Sequence, residues 1–248
     1  MTDKWDFYFC RVDDQPASIF VDLGIAGDAP MRTLPVMAYV RVFMRRPRPD
    51  GLSSNEDFEE LKSIEDCLDQ QLSSSTSVYV GRNTSNACRD FYFYTTATTS
   101  WKEDVSLALA AFADLRFESG TRDDPEWKAY LGFLHPSEEE MERIQNRRAC
   151  EALENAGDKL AAERPIEHWA YFNQSTDRTA FIEKAEALGY KVLDTWPPDA
   201  ESERFGVNVG ASGIPSLQNI DDLTIPLWRA ARECNGEYDG WETEVVRG

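Results

Sequence analysis

Two stretches of this chain run through the same succession of hydrophobic periods, and that succession limits the folds open to it. Alternating apolar residues mark a strand, and apolar residues three and four apart mark a helix. From residue 36 the order reads strand, helix, strand, strand, helix, strand, and from residue 166 it reads so again. That order belongs to the split βαβ, or ferredoxin-like, sandwich, in which two helical crossovers pack on an antiparallel sheet. The expected fold class is therefore α/β (α+β), with two such domains. The halves share no clear sequence identity, so the repetition is one of topology.

In the first half, Trp5, Phe7 and Phe9 alternate with Asp6, Tyr8 and Cys10, a strand with one buried face that residues 18–23 pair with as a hairpin. Residues 36–44 are β-branched and aromatic, and the proline-rich RRPRPDG ends them. Ser53 with Glu56 fits a capping box, opening a helix with the stripe Phe58, Leu61, Ile64, Leu68 and Leu72. Strands at 78–80 and 89–95 are joined through NTSNA. Ser100 with Glu103 opens a second helix whose stripe is Trp101, Val105, Ala108, Leu109 and Phe112. A short strand near 115–118 and a helical PEWKAYLGF close the half.

Residues 135–163 are charged, with Met141, Ile144, Leu153 and Leu160 as sparse apolar members, and read as a helical linker. A strand at 166–172 follows, then a helix capped by Ser175 or Thr176 and stopped at Gly189. Strands at 190–196 and 204–209 pair, a helix capped by Asn219 contains Pro226, and 237–246 is the last strand. The expected domains are 1–134, 135–163 and 164–248.

Charge narrows the function classes. Lys+Arg number 26 against Asp+Glu 45, net −19, which opposes binding to a phosphate backbone, so no nucleic-acid contact is expected. No apolar run approaches the ~20 residues of a membrane span, and the N-terminal stretch lacks a signal peptide's cationic and apolar regions. A cytoplasmic protein is expected. Cys10, Cys67, Cys88, Cys150 and Cys234 never fall into CxxC spacing and read as reduced thiols. His135 and His168 cannot build a multi-histidine metal site, and no phosphate-cradling glycine motif appears, so neither metal nor cofactor is expected.

No catalytic residue emerges. Gly210-Ala211-Ser212-Gly213 misplaces its second glycine for a nucleophile elbow, and His168 with Cys234 has no spacing that makes a dyad. Asp13-Asp14 and Asp123-Asp124 read as solvated loops, and Asp221-Asp222 complements a helix dipole. Arg45, Arg46 and Arg48 read as a loop paired with carboxylates. Tyr238-Asp239-Gly240-Trp241 is more specific. Its glycine in a terminal strand marks a bulge that packs Trp241 into the core, or its aromatics form a recognition surface.

HWAYF (168–172), LGY (188–190) and above all GEYDGWET (236–243) resemble the regulator of ribonuclease E activity B family. Residues 1–134 resemble domain of unknown function six-nine-five through WDFYF, SIFVDL, DGL, IED (64–66), VGRNT and RDFYFYT. The first resemblance implies a ferredoxin-like, non-enzymatic regulator that binds a protein partner, ribonuclease E or another basic RNA-processing protein. An acidic surface suits such a partner and steers its encounter. The dense acidic run often found before that family's last helix is reduced here to Asp221-Asp222. The partner-binding residues expected are His168, Tyr238, Asp239, Gly240 and Trp241. The competing expectation is a small-molecule or enzyme site in the N-terminal domain or between domains, built on Arg82, Thr84, Arg89 and Asp90. Exposed sheet edges also leave homo-oligomerisation open.

Overall fold

The computed structural model describes residues 2, 4–96, 99–199 and 203–247, which fall into two compact units, Met1–Ser137 and Glu138–Gly248. Each unit is an antiparallel sheet with helices on it, so the protein is a mixed α/β chain of two α+β units. Among the described residues no helix is long and apolar enough to cross a membrane.

In the first unit, β1 (Trp5–Val12) and β2 (Gln15–Asp22) form a hairpin turned by Asp13 and Asp14, both at positive φ. Asp tolerates this conformation better than most residues, and two in succession make the turn that matches strand twist. β4 (Ser77–Ser85) and β5 (Cys88–Thr95) are joined likewise through Asn86 and Ala87. With β3 (Val36–Phe43) and β6 (Phe117–Asp123), the sheet runs β1-β2-β4-β5-β3-β6. Its last four strands have the ferredoxin-like order, and the hairpin extends them by two.

Helices α1 (Asn55–Leu72) and α2 (Trp101–Ala108) cover one face. Leu61, Ile64, Leu68, Trp101 and Val105 meet Val40, Tyr79, Phe91 and Phe93 there. Several local expectations are corrected. α1 is capped by Ser54, whose hydroxyl accepts from the Asp57 N–H at 3.2 Å, and not by Ser53. Ser100 sits at the α2 cap without a side-chain bond. Phe58 belongs to the first turn of α1 and is 48% exposed. On β1 the buried side chains are Asp6 and Tyr8, while Phe7 and Phe9 are exposed. Trp5 alone of its face reaches the core, stacking on Phe20 and Tyr79.

The opposite face is partly covered by residues 124–134, which end in a π-helical turn, Tyr130–Leu134. Asp124, expected in a solvated loop, is buried: it accepts from the Tyr94 hydroxyl at 2.6 Å and from the N–H groups of Lys128 and Ala129 at 2.9 Å. Trp127 stacks on Tyr94 with centroids 3.9 Å apart and donates to Leu34 O.

In the second unit, β7 (Arg164–Phe172), β8 (Lys191–Trp196), β9 (Phe205–Gly213) and β10 (Gly236–Glu242) lie in the order β10-β7-β9-β8, the ferredoxin-like order again. α4 (Ser175–Ala187) and α5 (Ile220–Glu233) pack through Phe181, Ala185, Leu227 and Ala231 on Ala170, Phe172, Val207 and Val209. Gly189, at φ +94, ends α4 as its sequence position foretells. Pro226 lies inside α5, which begins six residues earlier. The segment expected as a linker carries α3 (Glu138–Asn155), whose Cys150 joins Leu160, Ile166 and Ile220 in a second buried cluster of this unit. Asp158 and Arg164 form a buried ion pair of 2.7 Å beside it.

Candidate functional site

The GEYDGW segment is a bulged strand. β10 pairs with β7 in register up to Tyr238↔Ala170, then resumes at Gly240↔Trp169, so Asp239 is the extra residue. Gly240 takes φ +116, a conformation that side chains with a Cβ rarely adopt. The bulge puts Tyr238 and Trp241 on the same, inner side of the sheet. Tyr238 packs in the core and shares a 2.8 Å hydrogen bond with His168 Nδ1. His168 is 1% exposed, its ring edge against Tyr190. Burial brings its pKa down to about 3, which keeps the ring neutral, and its Nε2 has no partner among the described residues. Trp241 is half-buried against the Cys150 cluster and donates from Nε1 to Asn146 Oδ1 at 2.9 Å. Of the five residues expected to meet a partner, Asp239 has its side chain in solvent, and His168, Tyr238 and Trp241 hold the strand from within.

That inner side contains polar residues that sequence reading missed. Asn146 donates to Asp221 Oδ1 at 2.8 Å and to Thr224 Oγ1 at 2.6 Å, and Arg143 donates to Asp221 Oδ2 at 2.7 Å. Asp221 therefore ties α3 to α5, beyond its place in a helix's first turn. Glu142 is buried beside this network, and burial together with Asp221 pushes its carboxyl up to about 7. The overlooked signal is spacing: Glu142, Asn146 and Cys150 recur every four residues, an inward stripe made of polar side chains.

The outer side of the same sheet carries Trp169, Tyr171 and Trp196, half-buried, with Glu167, Glu237 and Glu242 among them. Tyr171 and Trp196 meet edge to face at 6.0 Å, and Trp196 lies over Gly206, where a Cβ would collide with its ring. Arg204 sits 4.8 Å above the Tyr171 ring and pairs with Glu237.

In the first unit, the four residues expected to share a ligand site fall on two faces of the sheet. Arg82, Thr84 and Arg89 lie on the helix-covered face. Arg82 pairs with Glu65 of α1 at 2.6 Å and lies over the Phe20 ring. Arg89, 4% exposed, donates from Nε to Thr84 Oγ1 at 2.9 Å, and burial, reinforced by Arg82, brings its guanidinium down to about 10. Asp90 points to the other face and holds Arg41 by two bonds of 2.7 Å. The strand alternation of residues 89 and 90 dictates the separation.

The family comparisons divide along the same units. The model described as a family of unknown function, DUF695, matches residues 3–135, over half of the chain. The chain belongs to the DUF695 family. The model described as Regulator of ribonuclease activity B matches residues 143–243 of this DUF695 member, from within α3 to just beyond β10. Both resemblances read from the motifs are thus found in the same order along the chain. No curated protein matches. A solved structure of an unknown protein from Galdieria sulphuraria matches at 8% identity over 86% of this chain and 99% of that one, with a TM-score of 0.22, too low to bear on fold or function.

Proposed function

We propose that this protein is a non-enzymatic regulator that acts by binding a protein, ribonuclease E or another basic RNA-processing protein. The observation that carries the reading is the match of residues 143–243 to the regulator of ribonuclease activity B model. Charge supports it: residues 138–248 hold 12 Lys and Arg against 23 Asp and Glu, net −11, which favours a basic partner and speeds encounter at low salt. The chemistry of the outer sheet face supports it too. Arg204 shows how a guanidinium is held there, stacked on Tyr171 and paired with Glu237. An arginine-bearing segment of a partner would repeat that contact on Trp169 and Trp196 beside Glu167 and Glu242. Asp239 and Gly240 would lie at the rim of the contact, with His168, Tyr238 and Trp241 as its internal frame.

The test is a full-length Glu237→Lys, Glu242→Lys variant titrated calorimetrically with ribonuclease E beside the wild type. Both side chains are exposed, so the circular dichroism spectrum should not change. Affinity should fall at least about tenfold. A variant that binds as well as wild type would rule this face out.

A further inference from the structure

The face of the first unit's sheet opposite α1 and α2 holds a cavity of about 680 Å³, bordered by the β1–β2 turn and by residues 128–133. Small-molecule sites commonly occupy about 300–1,000 Å³ and combine apolar walls with a few convergent polar groups. Its floor is a row across three strands, Asn83↔Asp90↔Arg41. Asp90 and Arg41 satisfy each other in the two-bond pair described above, but Asn83 does not close. It is 4% exposed, and its Nδ2 donates to Ser85 Oγ at 2.9 Å. Its Oδ1 is buried without a partner among the described residues. A buried acceptor left unmade costs about 1–3 kcal/mol, and Asn83 is one of the residues that line the cavity.

The walls are aromatic. Tyr39 lies over Gly120, whose missing side chain leaves room for the ring, and Tyr92 meets Phe133 edge to face at 5.9 Å. Arg122 and Lys128 line the mouth, exposed to solvent. Lys128 pairs with Glu126 at the surface, a contact that costs little to exchange, and Arg122 is in no ion pair among the described residues. Two cations at the mouth stand out in a unit of net charge −8 over residues 1–137. Arg122 opposes Met37, four residues along β3 from Arg41. From strand geometry its backbone is about 20 Å from that of Asn83, about 14 Å across the strands and 13 Å along them. The reach of the arginine leaves a gap of nucleotide length.

We propose that this cavity binds a nucleotide, its base ring against Tyr39, Tyr92 and Phe133, a ring N–H donating to Asn83 Oδ1, and its phosphate at Arg122 and Lys128. The site is independent of the regulator reading, which concerns the other unit.

The test is calorimetry of the full chain with the four common nucleoside monophosphates, inorganic phosphate and ribose 5-phosphate. At least one monophosphate should bind once per chain, at least about tenfold tighter than phosphate or ribose 5-phosphate. Arg122→Gln, an exposed change, should weaken it about fivefold or more at unaltered melting temperature. In the wild type, the bound nucleotide should shift the Asn83 side-chain amide resonances, a readout that needs no substitution at this buried residue. The proposal is overturned if no monophosphate binds below about 1 mM, if phosphate alone binds equally well, if Arg122→Gln binds unchanged, or if the Asn83 amide is unmoved.

Discussion

Glu142 is a carboxyl that the fold would rather keep protonated. It is buried on α3, faces the charge of Asp221, and its pKa is raised from the ordinary 4.5 to about 7. Below about pH 4.5 the folded and unfolded chains both carry the proton, and the site costs nothing. As the pH rises from there, the unfolded chain ionises first, so folded stability falls until about pH 7, where the loss is complete. At about 1.4 kcal/mol for each pH unit between the two values, the loss comes to about 3–3.5 kcal/mol. Glu142→Gln removes the ionisation and keeps the shape. In urea unfolding of the full chain, followed by the amide cross-peaks of residues 138–247, the variant's advantage over wild type should grow with pH. From pH 4 to pH 8 the growth should be about 3–3.5 kcal/mol. A difference between the two proteins that stays flat across that range would refute the burial argument, whatever its absolute size.

Other consequences follow from the same packing. The His168 ring, held neutral by burial, should show no imidazole titration by NMR above about pH 4; below the ordinary 6.5 the unfolded chain takes up the proton first, so His168 destabilises the fold as pH falls towards 3. A midpoint near 6.5 for His168 would contradict its placement. Asp158→Ala strands the Arg164 guanidinium, whose side chain is 6% exposed, and should cost the second unit about 3–5 kcal/mol in urea unfolding; a cost under about 1 kcal/mol would mean that the pair is solvated. Gly240→Val forces a β-branched residue to φ +116 and should cost about 1–3 kcal/mol, whereas Asp239→Ala, in solvent beside it, should change stability by less than about 0.5 kcal/mol.

The topology was legible because the switch from period two to spacings of three and four survives in both halves, and the ferredoxin-like sheet orders follow from it. Faces were less legible. Phe7, Phe9 and Phe58 look like core by hydrophobicity, yet they are exposed, while Asp6 and Asp124 look like solvent and are buried. Those outcomes are decided by where the sheet and helices end in space, which periodicity does not carry. The bulge at Tyr238-Asp239-Gly240 was announced by its glycine, and with it the inward packing of Trp241. The grouping of Arg82, Thr84, Arg89 and Asp90 failed for a simpler reason: adjacent strand residues face opposite ways. Asn83 lies within VGRNT, but nothing in that motif marks its role, and only the register across β4, β5 and β3 places it in the cavity beside Asp90 and Arg41. The α3 network was missed because its inward residues are polar, and a stripe of Glu142, Asn146 and Cys150 reads in sequence as a solvated face.

Regulation by binding can be read in one titration of the full chain into ribonuclease E from the same organism at low and moderate salt, with RNA cleavage followed in the same samples. The expected result is saturable binding that weakens as salt rises, with cleavage slowed in proportion to the bound fraction. No binding at either salt, or binding that leaves cleavage untouched, would contradict it.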